Sequence, residues 1–292
     1  MQPLTFYILD VFAEETYAGN QLAVIANGQG LSGERMQRIT REFNFSETTF
    51  ILSGRKDNGG YDVRIFTPGE EVPFAGHPTV GTAWAIRNLL TLDRPAQIRL
   101  NLKVGQIPVS FDGDITWMTT PKPVFGETLA PAVLAGILGL DLKDIDARFP
   151  VQVVSTGLPA VLVPLKTLRA VERARVRMDL LQDLAETQEA GKTVLVFCPE
   201  TLSRENHLHV RVFAPLVNVH EDPATGSANS CLAGYLVRHG YFGEGPVDIK
   251  VEQGYEMGRP SKLHLRARQK TKGPIEVQVG GKVQFVAKGE LV

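Results

Sequence analysis

Arg64-Ile65-Phe66-Thr67-Pro68, followed by His77-Pro78-Thr79-Val80-Gly81-Thr82-Ala83, is echoed later in the chain. There Arg211-Val212-Phe213-Ala214-Pro215 is followed by Asp222-Pro223-Ala224-Thr225-Gly226-Ser227-Ala228. The two arginines stand almost as far apart as His77 and Asp222, and both intervals are close to half of the 292 residues. One short match arises readily by chance. Two blocks in the same order and at nearly the same spacing point to an internal duplication. The chain therefore reads as two similar domains facing each other across a pseudo-two-fold axis.

Each copy reads the same way locally. Val63–Phe66 and Val210–Phe213 are β-branched and aromatic, which predicts strands. Pro68 and Pro215 end them. Pro78 and Pro223 then stand at the start of apolar stretches, where a missing N–H costs a helix nothing. Thr79–Leu90 and Ala224–Val237 are predicted helices, apolar nearly all round, as a helix wrapped by a sheet should be. His77 and Asp222 fall at the expected N-cap positions.

The remainder is mostly short strands: Thr5–Leu9, Ala23–Ala26, Thr49–Leu52, Ile98–Leu102, Ile107–Phe111, Val151–Ser155, Ala160–Val163 and Val194–Phe197. A polar helix is expected over Ser32–Phe43, with Arg35 where a capping box would have Glu. Arg169–Glu189 reads as a charged, solvent-facing helix. Thr119-Thr120-Pro121-Lys122-Pro123 is the candidate interdomain linker. Ile275–Val279, Gly280-Gly281 and Val283–Ala287 form a hairpin signal.

Composition narrows the function. Hydrophobic residues are 43% and charged residues 22%, as in globular proteins, and 292 residues suffice for two cores. A net charge of −1 favours neither nucleic acid nor an anionic membrane. No apolar run approaches the roughly 20 residues that span a bilayer. Met1–Asp10 reads as a strand and lacks the features of a signal peptide. The two cysteines, Cys198 and Cys231, have no metal-site spacing and suggest no disulfide framework. A cytoplasmic location is expected.

Chemistry is expected at the two helix starts, whose free N–H groups and dipoles suit an anion such as a substrate carboxylate. Gly76, Gly81, Gly226 and Ser227 would permit close approach there, or would merely cap and pack. Glu47, in Asn44-Phe45-Ser46-Glu47-Thr48-Thr49-Phe50, comes between a helix and a strand with apolar neighbours. Partial burial at such a junction suits a carboxyl group to take and return a proton. On residue type alone Glu47 would be a surface or capping residue. His77 and Asp222 taken singly would be structural. Their equivalence under the repeat argues for an acid/base site. His207 and His209 alternate on a strand, but no further metal ligand is positioned by sequence.

Several motifs, in order over nearly the whole chain, resemble the phenazine biosynthesis PhzF-like family. They are Asp10-Val11-Phe12 with Gly19-Asn20-Gln21-Leu22-Ala23-Val24, Phe45–Phe50, Arg64–Pro68, Ala75–Ala83, Glu221–Ala228, and Glu252-Gln253-Gly254 with Gly258-Arg259-Pro260-Ser261. The resemblance implies a diaminopimelate epimerase-like α/β (α+β) fold: two pseudo-symmetric domains, each a curled, mostly antiparallel sheet around a central helix, with the active site between them. The expected domains are residues 1–118 with about 281–292, and residues 124–280.

The family's catalytic Glu falls on Glu47, and its supporting polar residues on His77, Asp222 and Ser227. Gly76, Pro78, Thr79, Thr225 and Gly226 are the expected substrate contacts. The resemblance implies a homodimer that isomerises a small carboxylate-bearing substrate, without metal or organic cofactor. Racemases of the wider superfamily use two opposed cysteines; the corresponding places here hold Ala75 and Pro223, which argues against a two-thiol racemase. A hydratase or hydrolase in which Glu47 activates water, and a non-catalytic small-molecule binding protein, are the competing readings.

Overall fold

The computed structural model describes residues 3–187, 192–270 and 273–292. The chain forms two compact units, Met1–Thr119 with Gly280–Val292, and Thr120–Val279. Among the described residues, no helix is long and apolar enough to cross a membrane.

The first unit is a curled sheet. Strand Leu4–Val11 pairs antiparallel with both Val283–Leu291 and Asn20–Ile25. Asn20–Ile25 continues parallel to Glu47–Ile51, which is antiparallel to Tyr61–Phe66. Tyr61–Phe66 then runs parallel to Gln97–Leu102, which is antiparallel to Gly105–Asp112. Gly105–Asp112 is antiparallel to Ile115–Thr119.

The second unit repeats the pattern. Val124–Thr128, Gln152–Ser155 and Pro159–Pro164 pair antiparallel in turn. Pro159–Pro164 is parallel to Val194–Cys198, which is antiparallel to Leu208–Ala214. Leu208–Ala214 is parallel to Val247–Gln253, and that strand is antiparallel to Ser261–Gln269. The alternation of antiparallel and parallel joins is the same in both units, which is the duplication expressed as topology.

Each sheet curls around one helix. Gly76–Ala85 touches seven strands of the first unit, and all of its residues but Trp84 are buried. Gly226–Arg238 packs on four strands of the second. A helix covered on every side needs an apolar circumference and small residues where strands come close. Gly81 shows why: a Cβ there would lie 2.6 Å from Leu22 Cδ2 and 2.7 Å from Val11 Cγ2. The helix can lie against these strands only because Gly81 has no side chain.

The echoed strands share a second device. Arg64 is forked onto Glu71 at 2.8 and 2.6 Å and lies over the Phe66 ring at 4.9 Å. Arg211 is forked onto Glu221 at 2.8 and 2.8 Å and lies over Phe213 at 4.8 Å. Each fork ties a strand to the short return strand, Glu71–Val72 or Val219–Asp222, that leads into the central helix. The bond from Arg64 holds the Glu71 carboxyl at about 2, well below the usual carboxylate range.

Three expectations change. The segment expected as one helix over Arg169–Glu189 is two, Leu168–Arg173 and Met178–Thr187, and Glu189 lies outside the described residues. The break arises because Arg175 and Arg177 donate their backbone N–H groups to Leu138 and Ile137. Those carbonyls end a helix absent from the reading above, Pro131–Leu138. Nor is the segment wholly solvent-facing, since Ala170, Val171 and Leu181 join the core under that helix. Finally, the tail expected as a hairpin is divided between units: Val283–Leu291 belongs to the first, while the strand before it begins in the second. Only Lys282 separates the two strands, too few residues for a two-residue hairpin turn.

Candidate active site

Glu47 is the first residue of its strand, paired with Leu22. Its side chain and that of Thr49 leave the strand on the same face. Thr49 Oγ1 bonds Thr82 Oγ1 on the central helix at 2.8 Å, pinning strand to helix. In this register the Glu47 carboxylate reaches His77, with Oε2 at 3.5 Å from Nε2. The carboxylate side chain is 17% exposed and the imidazole 3%. Desolvation pushes His77 down to about 3, partly opposed by the Gln21 backbone carbonyl, so the ring is neutral at physiological pH. The first unit thus places a reachable carboxylate against a buried neutral imidazole.

His77 is not the N-cap expected from sequence. Ala75 caps the helix, Gly76 opens it, and His77 and Pro78 follow within the first turn. Proline is tolerated throughout that turn, because none of its N–H groups has an intrahelical acceptor. Pro78 therefore marked the turn but not its first residue. Thr79, the next residue, closes the turn onto the Ala75 carbonyl through its N–H at 3.3 Å and its hydroxyl at 2.6 Å.

Asp222 is likewise displaced from the cap. It ends the strand Val219–Asp222 and pairs with Val212, while Thr225 caps the helix that begins at Gly226. The sheet ladder claims the Asp222 backbone, so the helix cannot start there. Asp222 still serves the helix entry, since Thr225 Oγ1 donates to Asp222 Oδ2 at 2.6 Å. Ser227 is the second helical residue; it is half-buried, and its carbonyl accepts from Ser230 Oγ at 2.6 Å. Glu47 and His77 thus lie together in the first unit, and Asp222, Thr225, Gly226 and Ser227 in the second.

Gln253 organises this second group and was quoted above only within a motif. It is fully buried. Its Nε2 donates to the Asp222 carbonyl at 2.7 Å and to Thr225 Oγ1 at 3.1 Å. Its Oε1 accepts from the Thr225 N–H at 3.3 Å and from Asn229 Nδ2 at 2.8 Å. The next residue, Gly254, has φ +79°, and a Cβ there would meet the backbone oxygens of Pro223, at 2.5 Å, and Arg259. Backbone oxygens cannot swing aside as a side-chain tip can. Gly254→Ala should therefore lower unfolding stability by about 1–3 kcal/mol in a denaturant titration. An unchanged midpoint would refute this packing.

The remaining candidates carry other roles. Both nitrogens of His209 are bonded to carboxylates, Glu252 at 2.8 Å and Glu256 at 3.0 Å, and His207 Nδ1 accepts the Lys250 N–H at 3.2 Å. The pair has no arrangement for a shared metal. Among the described residues, no group of His, Cys, Asp and Glu is disposed to hold a metal ion. Cys198 and Cys231 are buried, and desolvation pushes their thiols up to about 12 and about 11. Both are protonated near neutrality and poor nucleophiles.

Residues 9–289 match the family model described as phenazine biosynthesis-like protein. The chain is 36% identical over 289 residues to trans-2,3-dihydro-3-hydroxyanthranilate isomerase of Pseudomonas aeruginosa, covering 97% of this chain and 98% of that protein. It is 35% identical over 301 residues to an uncharacterised isomerase of Mesorhizobium japonicum, covering 100% and 99%. The fold superposes on a PhzF-family phenazine biosynthesis protein of Bacillus anthracis with a TM-score of 0.90, 26% identity and full coverage of both chains. The chain belongs to the phenazine biosynthesis-like protein family and is an enzyme of the isomerase class.

Proposed function

We propose that the enzyme moves a proton from one atom to another within a small carboxylate-bearing molecule, with Glu47 as the acid/base and without a cofactor. The observation that carries this reading is the Glu47 carboxylate, partly exposed and 3.5 Å from a buried neutral imidazole. Glu47 takes a proton from carbon, the C–H electron pair moves into the adjoining π system, and the carboxyl group, whose proton can exchange with solvent, returns a proton at another atom. Nothing is oxidised or reduced, so no external electron carrier is required.

The repeat does not supply a second copy of Glu47. In the second unit Val196 pairs with Arg211 as Phe50 pairs with Arg64, which puts Thr193, not a carboxylate, at the place of Glu47. Ser227, the second residue of its helix, holds the place of His77, and Asp222, the end of its return strand, that of Val72; both are assigned to orienting the substrate's polar groups. The helix start at Gly76, in the unit that holds Glu47, offers first-turn N–H groups to the substrate's carboxylate.

The substrate named for the Pseudomonas aeruginosa relative is the first to test. The purified enzyme is incubated with trans-2,3-dihydro-3-hydroxyanthranilate in D2O and, separately, in H2(18)O, and the product is analysed by mass spectrometry. Isomerisation gives a product of unchanged elemental composition, whose only solvent-derived label is deuterium. Incorporation of oxygen-18 would replace this reading with water activation by Glu47. Binding without any conversion would favour a non-catalytic protein for this ligand.

A further inference from the structure

His77 meets a second partner on the side of the ring away from Glu47. Its Nδ1 is 3.1 Å from Asn20 Nδ2, and both side chains are buried. Asn20 opens the strand Asn20–Ile25 and pairs with Val11, so its amide is delivered to the ring by the sheet rather than by a free loop. An amide nitrogen can donate but not accept, which makes Nδ1 the acceptor. A neutral imidazole has one N–H, and with Nδ1 accepting, that proton is on Nε2. Nε2 is the nitrogen that faces Glu47 Oε2.

We propose that Asn20 is a positioning residue that holds His77 as its Nε2–H tautomer and turns that N–H toward Glu47. The opposite tautomer would set an imidazole lone pair against a carboxylate and leave the Asn20 N–H facing another N–H. With Nε2 protonated, His77 presents a donor to the carboxylate and has no lone pair on that side with which to receive its proton. A proton taken up by Glu47 then goes back to the substrate and not to His77. The tautomer rests on the Asn20 and Glu47 contacts; the Gln21 carbonyl is the competing acceptor for the ring N–H, and the spectra below decide between them. The bearing of the tautomer on catalysis rests on the acid/base role proposed for Glu47. The duplication broke its symmetry here as well, since Pro159 opens the strand that corresponds to Asn20–Ile25.

The test uses the full chain without substrate, so its outcome is independent of the reaction assay. Long-range proton–nitrogen correlation spectra of the 15N-histidine-labelled protein report each ring nitrogen, and a His77→Gln sample identifies the His77 signals by their loss. At neutral pH the wild type should show Nε2 with the shift of a protonated nitrogen and Nδ1 with that of an unprotonated one. In Asn20→Asp the carboxylate can only accept, so Nδ1 should move to the protonated shift. In Asn20→Ala, with neither partner, the two nitrogens should move toward averaged shifts. A wild type protonated at Nδ1 overturns the proposal even if no variant folds. So does an unchanged His77 pattern in folded Asn20→Asp or Asn20→Ala. Inactivity of the enzyme on the substrate tested above, with the expected spectra, would count against the Glu47 reading and leave the tautomer standing.

Discussion

Glu47→Gln is expected to lower the rate of the chemical step by roughly 10²–10⁴-fold, the usual contribution of a positioned acid/base. The substitution keeps the length and volume of the side chain, so the fold and the strand–helix pin between Thr49 and Thr82 should be intact. Substrate affinity should change little, because binding is assigned to helix N–H groups and neutral donors. The amide cannot take a proton from carbon and give it back. A fall in kcat with a nearly constant KM is the signature of a group whose contribution lies in the transition state. Glu47→Asp should fall less but still strongly, because the carboxylate retreats by one methylene from the place where reach decides the rate. Wild-type turnover by the Gln variant would falsify the acid/base role.

That residue illustrates what could be read from sequence. The repeat of an R-x-F-x-P strand and a Pro-marked helix start was legible, because strand formers, prolines and small residues act locally. It carried the two-unit architecture and the central helices, but the equivalence of His77 with Asp222 does not hold. His77 is the second residue of its helix, as Ser227 is, while Asp222 ends the return strand as Val72 does. The location of Glu47 between helix and strand was legible too. Its approach to His77 was not, because it depends on the pairing of Glu47 with Leu22 and on the Thr49–Thr82 bond.

The helix starts were misplaced by two or three residues because proline tolerates several first-turn positions, and nothing local says that a sheet ladder holds Asp222. Asn20 and Gln253 read as ordinary polar residues, since their partners are far away in sequence: 57 residues for His77, and 31 and 28 for Asp222 and Thr225. The helix Pro131–Leu138, in contrast, had a visible start at Pro131 and a visible stop at Gly139, where φ is +65°. A short apolar stretch among strands conceals such a helix, because its burial pattern has no clear period over eight residues.

The second large effect should come from His209, which lies outside the candidate site and holds part of the second unit together. It is wholly buried between Glu252 and Glu256. Burial alone would push it down, but the bonds to the two carboxylates outweigh that and raise it to about 9. For Glu252, burial acts upward and is outweighed by His209, the Leu202 and Ser203 N–H groups and Asn206, so its carboxyl is held low. The imidazolium therefore bridges two carboxylates, joining the strand Leu208–Ala214 to Val247–Gln253 and to the turn at Tyr255–Met257. Glu252 stands next to Gln253, the residue that orders the Asp222 and Thr225 group.

His209→Leu leaves the Glu252 charge buried without its cation. Removing one partner of a buried pair typically costs about 3–5 kcal/mol, and this variant should lose that much in a urea titration. The pH dependence follows from the raised value. Stability from His209 is fully present below its unfolded pKa, near 6.5, and is lost as pH rises toward about 9. The wild-type midpoint should accordingly fall between pH 7 and 9, and the Leu variant should lack that component of the slope. Equal alkaline slopes in the two proteins would show that the bridge is uncharged in the native state. A loss of stability under 1 kcal/mol would show that the carboxylates find other partners when the imidazole is removed.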